Sequence, residues 1–245
     1  MNERLELVGL KNIPKIKFGD LISQIICESL SENNLELHNG DVLLIAQSII
    51  SKSIGKIRDL THVKPSQEAK ELYYKIKEKA EKENIPTKSP ELIQLILEES
   101  KEILRSEHVC IVETNKGFVC ANAGIDKSNV DGENKVTLLP EDPDLEARKI
   151  QEDLEARTNK EIAIIITDSF GRPFRKGSVG VAIGISGIAA LLDKRGSKDL
   201  YGKELQNTII GHVDNFASAS QLIMGESNEG IPIVLVRGYK FERKQ

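Results

Sequence analysis

The sequence predicts a mixed fold, α/β or α+β, and three observations carry that expectation. Short aliphatic runs, such as residues 42–46 and 162–166, are interspersed with charged stretches at helical spacing. Tryptophan is absent and aromatics make up only 4% of the chain, so Ile, Leu and Val must build the core. A hairpin-like pair also interrupts the series, which argues against a plain doubly wound sheet.

Each element has its own signal. Gly40-Asp41 is a turn signal ahead of the aliphatic run 42–46, which reads as a buried strand. Residues 65–105 are rich in Glu, Lys, Leu and Ile and are punctuated by Ile85-Pro86-Thr87-Lys88-Ser89-Pro90. They predict two helices, 66 to about 84 and 89 to about 105, with Ser66 and Ser89 as N-caps and Pro90 in the first turn. The charge on these helices reads as a solvated face. A hairpin is expected over 108–113 and 118–121, turning at Thr114-Asn115-Lys116-Gly117. Leu145, Ile150 and Leu154 mark an amphipathic helix over 144–158. Residues 161–167 are the clearest buried strand, 179–185 and 231–236 are further strands, and the Ala- and Ser-rich 215–224 is a helix. The 245 residues read as one domain, 1–245, with a helical insertion at about 65–106.

Composition excludes several functions. With 34 basic against 38 acidic side chains the net charge is −4, so no nucleic-acid partner is expected. No run approaches the roughly 20 apolar residues that span a bilayer, and Met1-Asn2-Glu3-Arg4 begins no signal peptide, so a cytoplasmic protein away from membranes is expected. Cys27, Cys110 and Cys120 cannot all pair and form no C-x-x-C, which argues against a disulfide framework and a structural zinc. Cys110 and Cys120 lie in the apolar hairpin, where inert thiols are expected. His38, His62, His108 and His212 show no ligand spacing and read as structural or surface. There is no G-x-x-x-x-G-K-[ST], no G-x-G-x-x-G and no G-x-S-x-G, so nucleotide handling would use neither common loop. Gly180, Gly184 and Gly187 fit either close backbone packing or ligand approach.

Chemistry-bearing residues fall in loops beside strands. In Thr167-Asp168-Ser169-Phe170-Gly171-Arg172 an aliphatic strand runs into a carboxylate and a hydroxyl, which suits Mg²⁺ or Mn²⁺, although Asp168 could equally cap a turn. Asp126, with Ser128 and Asn129, and Glu226, in the loop 224–230, are two further acidic positions, each also readable as an ordinary connection. Arg172, Arg175 and Lys176 cluster between two strands, and Lys52 follows the first strand with Gln47 and Ser48; these cations suit phosphate or carboxylate oxygens, or a surface ion pair. The residues alone reach a soluble α/β enzyme, metal-dependent and acting on an anionic substrate.

Taken together the segments resemble the coenzyme F420-0:L-glutamate ligase family. The likeness is carried by Ile13-Pro14-Lys15-Ile16 with Gly19-Asp20, by Asn39-Gly40-Asp41-Val42 through Ser51-Lys52, and by Asn122-Ala123-Gly124-Ile125-Asp126 with Ser128-Asn129. Leu139-Pro140, Asp142-Pro143-Asp144, Ile165-Ile166-Thr167-Asp168-Ser169, Gly171-Arg172, Phe174-Arg175 and the run 180–187 continue it. Asp199-Leu200-Tyr201-Gly202, Glu204-Leu205, Leu222-Ile223-Met224-Gly225-Glu226 and Val236-Arg237-Gly238 complete it, in order over nearly the whole chain.

The resemblance implies an unusual mixed-sheet fold paired as an intertwined homodimer, with the site near the interface. It implies GTP as co-substrate, with L-glutamate and the deazaflavin precursor joined through an acyl phosphate, releasing GDP and phosphate. Asp126, Asp168, Ser169 and Glu226 would hold two Mg²⁺ or Mn²⁺ per site, with K⁺ as an additional candidate ion. Ile13, Pro14, Lys15, Ile16, Gln47, Ser48, Lys52, Asn129, Met224, Gly225, Glu226, Ser227, Asn228, Glu229, Gly230 and Ile231 would line the nucleotide. Arg172 and Arg175 are placed beside anionic substrate groups by charge, as candidate catalytic cations. Gln47 departs from the family pattern, where a hydroxyl residue stands before Ser48; a short or missing C-terminal extension after Tyr239, and no fused nitroreductase-like domain, are expected. Two alternatives stand beside this reading: a nucleotide-dependent amino-acid ligase for a different carboxylate, and a non-catalytic nucleotide-binding protein.

Overall fold

Strand β1 (Glu6–Gly9) leads through a loop into α1 (Ile22–Glu32), where Ile22, Ile25, Ile26 and Leu30 recur at helical spacing and are buried. The computed structural model describes residues 4–107 and 109–244, so His108, which opens the expected hairpin, lies outside the described residues. Strand β2 (Val42–Ala46) has its predicted bounds and passes directly into α2 (Gln47–Ser53). Then follow β3 (Ile57–Asp59), α3 (Gln67–Glu83), α4 (Pro90–Glu98), β4 (Ser100–Ser106), β5 (Cys110–Thr114), β6 (Val119–Ala121) and β7 (Lys135–Thr137). The chain returns through α5 (Pro143–Thr158), β8 (Ala163–Arg172) and β9 (Arg175–Ser186). A ribbon of β10 (Leu192–Asp193) and β11 (Ile209–Ile210), then α6 (His212–Met224) and β12 (Ile233–Arg237), completes it.

The main sheet runs β1-β12-β2-β8-β9, with β2 and β8 parallel and every other pairing antiparallel. This is the mixed α/β class that the sequence predicts. Alternation in the central strands sorts their side chains to two faces. Leu43, Ile45, Ile164, Ile166, Ile233 and Leu235 meet α1, α2 and α5 on one side. Val42, Leu44, Ile165, Val234 and Val236 meet Val213, Phe216 and Ala217 of α6 on the other. A further core, with Leu60, Ile76, Ile93, Ile96, Val112 and Val136, lies between α3, α4 and the strands β5 and β7. No helix among the described residues is long and apolar enough to cross a membrane.

Caps work as expected: Ser66 Oγ accepts from Ala69 N (3.1 Å) and Ser89 Oγ from Leu92 N (3.3 Å). The second of these helices, however, ends at Glu98 and not near residue 105. Asn115 of the β5–β6 turn takes its terminal carbonyls, donating from Nδ2 to Glu98 O (2.9 Å) and from N to Glu99 O (3.1 Å). Residues 100–106 are then drawn out as β4 against β5. The strand expected over 161–167 also continues to Arg172, so no turn follows Asp168.

The glycine series is explained by packing. A Cβ on Gly180 would lie 2.3 Å from Ala217 O, one on Gly184 2.6 Å from the Pro143 backbone, and one on Gly187 2.6 Å from Ile162 O. His212 is buried against Ala189 O (2.6 Å) and the Tyr239 hydroxyl (3.2 Å), while His38 and His62 are exposed. At the amino end of β2, Asp41 is 1% exposed and accepts from Arg237 Nε (2.9 Å), Arg237 Nη2 (2.7 Å) and His38 N (2.7 Å). This bidentate pair ties β12 to β2, and removing one partner of a buried pair costs about 3–5 kcal/mol.

Candidate active site

The parallel pair β2 and β8 points its carboxyl ends at one edge of the sheet, where open α/β sheets bind ligands. Five sequence segments gather there. Beta-2 ends at Ala46, paired with Thr167, so β8 leaves its parallel neighbour at Asp168. Ala46 N donates to Pro232 O (2.8 Å), which brings the end of the loop 224–231 beside α2. Leu10 N donates to Ile233 O (2.9 Å), which carries the chain toward residues 13–16 from the same edge. Asp126 is bridged to Thr137 through backbone bonds of 3.1 and 2.8 Å, so β7 delivers the second acidic loop.

Backbone shape prepares these loops. Asn122, Ala123 and Gly124, just ahead of Ile125-Asp126, all have positive φ (53°, 57° and 68°), and Asn129 beyond it does too (52°). Non-glycine residues so placed cost about 1–3 kcal/mol each and are kept only where their surroundings demand it. Gly225 and Gly230 supply the same conformation in the third loop, at 68° and 69°.

The carboxylates have distinct environments. Asp126 accepts from Ser128 N (2.8 Å) and Ser128 Oγ (2.6 Å). Asp168 accepts from Ser169 N (2.8 Å); burial pushes its carboxyl up to about 7, and the nearby Asp126 and Glu226 carboxylates add to the rise. Glu226 Oε1 accepts from Ser169 Oγ (2.5 Å) and from Gln221 Nε2. Asn129 Nδ2 donates to Ser227 O (3.3 Å), closing the second loop on the third. Glu229 folds back on its own loop, accepting from Ser227 N (2.8 Å), and the loop's N–H groups hold its carboxyl below the usual range. Lys52 is half-buried: burial lowers its ammonium, and the Asp126 charge opposes that. The buried Cys120 thiol is pushed up to about 12 by burial and by Asp168, which keeps it inert.

Three carboxylates and a hydroxyl form an all-oxygen donor set, the kind hard divalent cations prefer. Among the described residues no three His, Cys, Asp or Glu side chains converge as a cage for one ion. Ions of the Mg²⁺ type take one or two carboxylates and complete their shell with water and phosphate oxygens. Asp126 with Asp168, and Ser169 with Glu226, are pairs that could each serve one ion.

Not every expected residue joins the edge in the same way. Gln47 is 3% exposed, and its Nε2 donates to Ser51 Oγ (2.6 Å) and Leu138 O (3.1 Å), so its amide ties α2 to the strand after β7. Ser48 is half-buried one residue further along α2. Ile16 is buried, Ile13 partly so, and Pro14 and Lys15 are exposed. Met224 and Ile231 are half-buried at the ends of their loop, and Asn228 is exposed. Arg172 and Arg175 lie apart, exposed at the tip of the β8–β9 hairpin. Arg172 lies four residue steps along the strand from Asp168, roughly 13 Å. Sequence reasoning missed Gln221, which joins the Ser169–Glu226 pair; a glutamine inside a helix carries no signal for that role.

A mixed sheet whose one parallel pair delivers acids, hydroxyls and a half-buried lysine to a single edge is the build of an α/β enzyme acting on anionic groups. A family model described as F420-0:Gamma-glutamyl ligase matches residues 11–238. Relatives named coenzyme F420:L-glutamate ligase are similar over most of their length. The one from Methanothermobacter thermautotrophicus is 44% identical, over 96% of this chain and 89% of its own. That of Methanocaldococcus jannaschii is 43% identical over 96% and 88%, and that of Haloarcula marismortui 36% over 97% and 88%. The chain belongs to the F420-0:gamma-glutamyl ligase family and is a ligase.

Proposed function

We propose that this ligase uses GTP to join L-glutamate to the lactyl carboxylate of the deazaflavin precursor coenzyme F420-0. The substrate carboxylate attacks the γ-phosphorus, a new O–P bond forms, and GDP leaves. The α-amine of glutamate then attacks the acyl carbon, the C–O bond to phosphate breaks, and the nitrogen loses a proton to give the amide. Activation is required because a free carboxylate is a poor electrophile with a poor leaving group. Divalent cations, Mg²⁺ or Mn²⁺, would supply charge neutralisation between phosphate and carboxylate oxygens.

The residues divide the remaining work. Asp126, Asp168, Ser169 and Glu226 offer oxygens to those ions. Lys52 brings a positive charge to phosphate, and residues 13–16, Gln47, Ser48, Asn129 and 224–231 border the nucleotide, with Gln47 acting by fixing α2. Arg172 and Arg175 stand ready for anionic substrate groups at the hairpin tip. One observation carries the reading: acidic loops from 126, 168 and 226 meet at the carboxyl edge of the parallel pair, where Asp168 responds to both other charges. The test is product mass after incubating the protein with the deazaflavin precursor, L-glutamate, GTP and Mn²⁺. A product heavier by one or more glutamyl units is expected; no mass gain, or an equal gain without GTP, overturns the proposal.

A further inference from the structure

We infer that Gln221 is a positioning residue that sets Ser169 and Glu226 for a divalent cation, a step that rests on the metal reading above. Its amide has only one orientation consistent with its neighbours. Gly180 N donates to Gln221 Oε1 (2.9 Å), and since a backbone N–H can only donate, the oxygen of the amide is fixed on that side. Nε2 must then face the other way, where it donates to Ser169 Oγ (3.2 Å) and to Glu226 Oε1. Gln221 therefore reads two candidate ligands at once and holds one oxygen of Glu226, leaving Oε2 free to turn to an ion.

The approach depends on the fold. Ser169 and Gly180 are partners in the β8–β9 register, and α6 lies so close that a Cβ at Gly180 would strike Ala217 O. Only that close contact lets a side chain of α6 span the hairpin to the acidic loop. Ser218 ties the same helix to the same glycine, donating from Oγ to Gly180 O (2.9 Å), but does so without touching Ser169 or Glu226. Asp214 of the same helix accepts from Ala182 N (2.9 Å), so three side chains dock α6 on β9 and of these Gln221 addresses the site.

Hydrogen-bond partners of metal ligands orient them, and their loss typically weakens metal affinity about 10–100-fold. The experiment is an Mn²⁺ titration of the full chain with GDP present, following free Mn²⁺ by electron paramagnetic resonance. Gln221→Met should bind Mn²⁺ about 10–100-fold more weakly than the unmodified chain, while Ser218→Ala should bind as the unmodified chain does. Unchanged affinity in Gln221→Met overturns the inference. An equal loss in Ser218→Ala also overturns it, since the effect would then belong to helix docking. If the unmodified chain itself takes up no Mn²⁺, the metal reading fails, a result distinct from either variant's.

Discussion

Asp168 is the residue at which burial and function pull in opposite directions. Its folded carboxyl titrates at about 7, against about 3.9 for an unperturbed aspartate, so the folded state holds a proton that the unfolded chain has already released. Stability from this group is complete below about pH 4 and is lost as the pH rises towards and through 7. In metal-free protein, Asp168→Asn removes that loss. Thermal melts in a chelator should place the variant at or above the unmodified chain at pH 8, with the gap narrowing towards pH 5. A variant less stable at pH 8 would show that the carboxylate is not held at a cost. Lys52 makes the complementary case, a cation kept half-buried with Asp126 in range. Lys52→Ala should weaken nucleotide binding by about 1–3 kcal/mol, the scale of a charge-assisted hydrogen bond. Calorimetry with Mn²⁺ present checks it, and unchanged affinity would remove Lys52 from the phosphate site.

At the scale of elements, α6 and the β8–β9 hairpin are the pair on which the site's precision rests. Gly180→Ala would push a methyl into the Ala217 carbonyl and should cost about 1–3 kcal/mol in a chemical melt. It should also weaken Mn²⁺ binding, because Gln221 would be moved with its helix; a variant of full stability would mean α6 gives way freely. The same elements show what a sequence can and cannot disclose. Strands β2 and β8 were legible because an aliphatic run bounded by turn signals has few alternatives, and Asp168 stood out because it ended such a run. Beta-4 was not, and its two bulges explain why. Register shifts after Ser100 and Ile103 leave Ser100, Ile103 and Ser106 as its partly buried positions, a spacing of three that imitates a helix. The short strands β1, β3 and β7 are not legible, since runs of three or four residues carry too little periodicity, whereas α1 does carry helical spacing at Ile22, Ile25, Ile26 and Leu30 and could have been read. Gln221 has no local signal at all: its role arises only when α6 packs on Gly180.

The whole molecule leaves several large apolar side chains uncovered. Phe174 at the hairpin tip is fully exposed, and Leu200 and Tyr201, in the stretch between β10 and β11, are 100% and 96% exposed. Leu191 and, on α6, Leu222 are exposed as well. None of these side chains belongs to the three cores, and β9 is an edge strand of the main sheet. Large exposed apolar side chains and an open strand edge are what a subunit interface covers. Closed two-fold pairing would bury the same surface on both copies and would give two equivalent sites. It would also bring the exposed Arg172 and Arg175 of one copy against the other, which a lone chain leaves roughly 13 Å or more along the strand from its own Asp168. Light scattering should therefore report a particle of about twice 27.2 kDa. Leu200→Ser combined with Tyr201→Ser should lower that mass towards a single chain. If the hairpin serves the partner's site, ligation should fall with the dimer fraction as the variant is diluted. A monomeric unmodified chain that ligates at full rate would reject both the pairing and the shared site.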